Sequence, residues 1–129
     1  CSIARMEKSL LGPHGAVFAR RVFGLAEQAA LGLPLAEEEG TVRRTAHTVA
    51  SAAADFAAKE AFLKAAGTGL REPFSLCEIE AVRLPGGAPA YHFSGRSAQW
   101  VEARRMRAHL SLSHEDGMAM AYCILETET

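Results

Sequence analysis

Two short stretches carry residues whose types and spacing could do chemistry. The first is Asp55-Phe56-Ala57-Ala58-Lys59-Glu60-Ala61-Phe62-Leu63-Lys64-Ala65-Ala66-Gly67-Thr68-Gly69. Glu60 and Lys64 stand four apart, so on a helix they share one face. A carboxylate and an ammonium so placed form a surface ion pair, or they hold a metal and a phosphate beside the Gly-Thr-Gly turn. The second is His109-Leu110-Ser111-Leu112-Ser113-His114-Glu115-Asp116-Gly117. In a strand, His109, Ser111 and Ser113 face one way and the two leucines the other. That polar row, ending at His114, is either an exposed strand face or a set of groups for phosphate binding and acid–base work. His14, His47 and His92 stand alone and read as ordinary surface or packed histidines.

The elements that must position these residues follow from pattern. Thr41 to Ala66 has neither glycine nor proline and is rich in alanine, so it reads as one long helix, with Thr41 as N-cap and Gly67 as stop. Its many small residues imply close packing against another element. Before it, Ser2 to Leu11 and His14 to Phe23 have helical apolar spacing, and Ala26 to Leu31 suits a further short helix. After Gly69 the period changes. Leu76 to Arg83 and Pro89 to Ser94 read as strands about a Leu84-Pro85-Gly86-Gly87 turn. Gly95 to Arg107 reads as an amphipathic helix with Ala98, Val101 and Met106 inward. Ala108 to Ser113 and Met118 to Leu125 complete the set, joined through the turn at Glu115-Asp116-Gly117. A small antiparallel sheet packed on one long helix, with shorter helices around it, is an α+β fold.

Composition narrows the function classes. The 129 residues fit one domain, spanning 1–129, and 49% hydrophobic against 22% charged content is that of a globular chain. Fourteen basic and fifteen acidic residues leave a net charge of −1, without the basic excess that nucleic acid would call for. No stretch approaches the roughly 20 apolar residues that span a bilayer, and a membrane partner is not expected. Cys1, Cys77 and Cys123 are odd in number and scattered, which points to a reducing, cytoplasmic setting rather than a disulfide framework. Charge is unevenly spread. Arg5, Lys8, Arg20 and Arg21 face a single acid, Glu7, in the first 22 residues, and the run Glu37-Glu38-Glu39 follows. That basic patch is a solvated face or a dock for an acidic partner.

Taken in order, these segments resemble the holo-acyl-carrier-protein synthases, the small phosphopantetheinyl transferases. The likeness rests on residues 56–69, on Phe74-Ser75-Leu76 to Glu80, on Gly87-Ala88-Pro89, on His109 to His114 and on Met118 to Glu126. It implies a phosphopantetheinyl transferase fold, trimers with active sites between subunits, and transfer of 4′-phosphopantetheine from coenzyme A to a serine of apo acyl carrier protein, with Mg²⁺. Glu60 is then a metal ligand, and Lys64 a contact to a coenzyme A phosphate. Gly67 and Gly69 admit the ligand to the backbone, and Gly87 and Pro89 line its adenine end. Ser113 and His114 hold phosphate oxygens, with His114 or Glu60 taking the serine proton. Arg5 and Arg21, with Phe18 as apolar anchor, dock the acidic carrier.

The resemblance also marks departures. The family's first strand ends in Gly-x-Asp-Ile, whose Asp is the other metal ligand; Cys1 aligns just after that Ile, so the expected ligand lies before it. Asp55 stands where the family usually has Arg, and Ala88 where it has the Lys of Gly-Lys-Pro. These departures imply weakened coenzyme A affinity or, for Asp55, an added acid. They also motivate an alternative reading, a non-catalytic binding module for coenzyme A or the carrier.

Overall fold

A computed structural model describes residues 1–33 and 42–128. The Thr41 cap and the acidic run at 37–39 lie outside the described residues. Three short helices come first: α1 (Ile3–Leu11), α2 (Gly15–Val22) and α3 (Leu25–Leu31). Ser2 Oγ accepts from the Arg5 N–H at 3.3 Å and caps α1. The long helix α4 (Val42–Ala66) ends where Gly67, at φ +78°, donates its N–H to Leu63 and Lys64 carbonyls.

The strands form two hairpins. Leu76–Glu78 is a single 3₁₀ turn, and β1 (Ile79–Arg83) begins only after it; β1 pairs antiparallel with β2 (Pro89–Phe93). Helix α5 (Gly95–Ala103) follows, its first turn capped by the Glu78 carboxylate through the Ser97 N–H and hydroxyl. Then β3 (Met106–Glu115) pairs with β4 (Met118–Thr127) in full register, from Met106↔Thr127 to Glu115↔Met118. Asp116 and Gly117, both at positive φ, make the two-residue turn, a chemistry that Asp-Gly suits. Among the described residues β2 and β3 lie side by side without a hydrogen-bonded ladder, so the expected small sheet is two two-stranded sheets.

The expected helix over 95–107 is shorter. Arg105 adopts φ +50° and turns the chain, and Met106 opens β3 instead of closing the helix. No glycine marks this stop, which is why the pattern overran it.

Two apolar clusters hold the elements. Met6, Leu10, Val22 and Phe23 pack on Val49, Ala52 and Ala53 of α4 and on Ala119 of β4. Phe62 centres the second cluster with Phe74, Ile79 and Val101, flanked by Tyr91, Phe93 and Trp100. Ala52, Ala53 and Ala58 are wholly buried, so the small residues on α4 do serve close packing. Cys1 exchanges backbone hydrogen bonds with Ala119, which lays the first residues along β4.

Candidate active site

Helix α4 presents two separate faces to two clefts. Glu60 and Lys64 are exposed and border a cleft of about 550 Å³ with Cys1, Ala119 and Tyr122. Among the described residues no ion pair joins Glu60 to Lys64. The Gly67-Thr68-Gly69 turn follows directly. Gly67 and Gly69 both have positive φ, with open space where a Cβ would stand, so glycine serves the turn and leaves the backbone accessible.

The second cleft, about 690 Å³, lies between α3, α4, β1 and the end of β3. His47, Ser51 and Asp55 of α4 line it with Arg83, Ser113 and His114, over an apolar floor that includes Ala54, Val82 and Leu112. The two clefts share no lining residue. Glu60 is five residues beyond Asp55 and therefore about 140° further round the helix. The residues expected to act together thus divide: Glu60 and Lys64 belong to one cleft, Ser113 and His114 to the other, and Gly67 and Gly69 line neither.

The polar row on β3 is real. His109, Ser111, Ser113 and His114 are exposed, while Leu110 and Leu112 turn inward. His109 pairs across the hairpin with Glu126. Gly87 and Pro89 sit at the exposed tip and first residue of the β1–β2 hairpin and line neither cleft. Arg5 and Arg21 are exposed. Phe18 is half-buried against Phe23, their rings edge to face at 6.3 Å, so it belongs partly to the core.

Sequence reasoning missed the charged cluster beneath the second cleft. Lys59 Nζ donates to Glu27 Oε1 at 2.5 Å and to the carbonyls of Ile79 and Leu76 at 2.6 and 3.0 Å. Glu27 in turn accepts from the N–H groups of Gly24 and Ala81. Glu80 accepts from the Glu27 N–H at 2.9 Å and meets His92 at 3.3 Å. Burial pushes the Glu27 carboxyl up and the Lys59 ammonium down, each opposed by the other's charge. Gly24-x-x-Glu27 at a helix start was the available signal: the Glu27 carboxylate returns to the Gly24 N–H as in half a capping box.

Asp55 is the strained member of this neighbourhood. It is 5% exposed, and Oδ1 has no hydrogen-bond partner among the described residues. Arg83 Nη2 lies 3.5 Å away, close enough to attract but at the far limit of a hydrogen bond. Burial, reinforced by the Glu27 charge and opposed by Arg83, pushes the Asp55 carboxyl up to about 7.

No group of three or more metal-ligating side chains occurs among the described residues. Glu60 is a single hard oxygen donor. That still suits Mg²⁺, which keeps several waters and is often held by one or two carboxylates with the phosphates of its substrate.

The chain as a whole resembles known proteins. The family model for the 4′-phosphopantetheinyl transferase superfamily matches residues 4–123. The chain is 39% identical over 125 residues to the holo-[acyl-carrier-protein] synthase of Bordetella pertussis, covering 96% of this chain and 76% of that one. It is 36% identical over 128 residues to that of Leptothrix cholodnii, covering 99% and 92%. Among solved structures, the holo-(acyl-carrier-protein) synthase of Bacillus anthracis in complex with CoA (3′,5′-ADP) superposes with a TM-score of 0.70 at 29% identity, covering 99% of this chain and 91% of that one. The chain therefore belongs to the 4′-phosphopantetheinyl transferase superfamily, within its holo-[acyl-carrier-protein] synthase family. It is an enzyme of the transferase class.

Proposed function

We propose that the chain transfers 4′-phosphopantetheine from coenzyme A to a serine of apo acyl carrier protein and releases adenosine 3′,5′-bisphosphate. The observation that carries this, beside the family, is the exposed Glu60 and Lys64 on one face of α4, next to a glycine turn with open backbone. The carrier serine oxygen bonds to the phosphorus that bears the pantetheine. The bond from that phosphorus to the bridging oxygen breaks, and the bisphosphate leaves with the electron pair. Lys64 holds a phosphate and offsets charge growing on its oxygens. His114 takes the serine proton, and Ser113 donates to a phosphate oxygen. Gly87 and Pro89 meet the adenine end.

Glu60 would hold Mg²⁺ in the cleft that Cys1 also borders. Bound there, Mg²⁺ would neutralise pyrophosphate charge.

A homotrimer follows from the same reading. Each protomer would close its neighbour's site, bringing one Glu60 cleft to another protomer's His114. An apolar strip on β4 supports such an assembly: Tyr122 and Ile124 are 71% and 65% exposed, and Met118 and Met120 lie beside them. Arg5 and Arg21 would steer the acidic carrier, and Phe18 would supply apolar contact.

Intact mass of an apo acyl carrier protein, after incubation with coenzyme A, Mg²⁺ and the protein, tests the reading. The carrier should gain one phosphopantetheine, and Glu60→Ala should prevent it. Coenzyme A binding with no gain on any carrier would favour the binding module instead.

A further inference from the structure

The larger cleft contains a charged pair that the transfer chemistry above does not use. Asp55 and Arg83 both line it. The Asp55 carboxylate is almost wholly buried, whereas the Arg83 side chain is 43% exposed. At 3.5 Å the pair attracts with no full hydrogen bond to Oδ1, so Arg83 has donors to offer a ligand. Among the described residues bordering this cleft, Arg83 is the one cation that carries its charge at every working pH.

We propose that Asp55 and Arg83 form an exchange pair that sets the cleft's selectivity for anionic ligands: a phosphate entering the cleft takes Arg83 from Asp55, and Asp55 takes up a proton from solvent as it binds. The ligand's identity, the phosphorylated nucleotide end of coenzyme A, rests on the transferase reading; the exchange itself rests on the geometry.

The physical reason is that the cleft cannot hold both anions. A phosphate on Arg83 stands within a few ångströms of a carboxylate that water barely reaches. Two such like charges repel strongly, and among the described residues no donor meets Asp55 Oδ1 to offset the loss of Arg83. Among the described residues, the surrounding groups do not relieve it. Glu27 on α3 and Glu80 on β1 add negative charge. Lys59, the buried cation on α4, is engaged by Glu27 and two carbonyls, and His92 on β2 sits against Glu80. His47 on α4 and His114 on β3 also border the cleft. Protonation resolves the conflict and turns Asp55 into a donor toward the incoming oxygens. The carboxyl is already poised for this, since burial holds it near neutrality in the empty cleft.

The consequence is a cleft that discriminates by charge and by pH. Dianionic phosphates bind at the cost of a proton, so their affinity falls as pH rises past neutrality. The linkage limit is about tenfold per pH unit. Phosphate's own second ionisation, near pH 6, pulls the other way and is common to all variants.

Isothermal titration of adenosine 3′,5′-bisphosphate into the protein tests this, in buffers of differing ionisation enthalpy across pH 6 to 8.5. The wild type should take up close to one proton per ligand at the alkaline end. Asp55→Asn, an isosteric change that keeps both histidines, should abolish that uptake and bind about tenfold more tightly at pH 8. Arg83→Gln should weaken binding at every pH, and thermal melts establish that both variants fold. Equal proton uptake in wild type and Asp55→Asn, or equal affinity at pH 8, overturns the exchange pair. If the wild type still arms the carrier in the mass assay, the transferase reading survives that result. No binding by a chain that also fails to arm any carrier overturns both.

Discussion

Lys59 and Glu27, 32 residues apart, meet at 2.5 Å with both side chains wholly buried. The pair ties three elements together. Glu27 fixes the start of α3 and accepts from Ala81 on β1, while Lys59 of α4 anchors the carbonyls at the start of that strand. Removing one partner leaves an uncompensated charge in the core, at a cost of about 3–5 kcal/mol. Lys59→Met and Glu27→Gln should each lower the unfolding free energy read from urea titration by that order. The double variant should lose clearly less than the two losses added, because neither charge is then left alone. Additive losses would mean the two residues act independently.

Asp55 predicts how stability varies with pH. Its folded carboxyl is pushed up to about 7 from 3.8. A group raised in this way contributes stability that is full below its unfolded value and is lost as pH rises through the folded value. Asp55→Asn removes that loss. Its stability advantage over the wild type should grow by about 2–3 kcal/mol between pH 5 and pH 8. Urea unfolding at both values measures it, and a constant difference would show that Asp55 titrates normally.

Lys64 and Arg21 should separate by substrate. If Lys64 holds a coenzyme A phosphate as proposed, Lys64→Ala should raise KM for coenzyme A by about tenfold or more, near 1.5–3 kcal/mol for a charge-assisted bond. Arg21→Glu should leave that KM alone and slow association with the carrier, with the deficit fading at high salt. Stopped-flow binding at two ionic strengths distinguishes them. An unchanged association rate would remove Arg21 from the docking surface.

The β4 strip should govern assembly. Tyr122 and Ile124 are exposed within one protomer, so Tyr122→Arg with Ile124→Asp should leave the fold intact. Light scattering on a size-exclusion column should find wild-type trimers and monomers of the variant. A variant that remains trimeric places the interface elsewhere.

Much of this architecture was legible in residue order. The long helix, the Asp-Gly hairpin and the polar alternation from His109 to Ser113 rest on local patterns that neighbours do not override. The stop of α5 was not legible, because Arg105 takes a left-handed turn without the glycine that usually signals it. The division of the site was hidden too. Spacing places Glu60 and Lys64 on one helix face, but only packing puts Asp55, Ser113 and His114 round a different cleft. The Lys59–Glu27 pair escaped notice because charged residues in an amphipathic pattern ordinarily read as surface, and its partners lie far apart in the chain.

The two faces of α4 carry one further consequence. If each working site joins the Glu60 cleft of one protomer to His114 of the next, a protein without Glu60 and one without His114 are defective in opposite halves. Neither makes a complete site alone. Dissociated, mixed and reassembled, they form rings in which some boundaries bring the surviving Glu60 against the surviving His114. Two inactive preparations should then rescue each other, whereas a chain carrying both lesions should rescue neither.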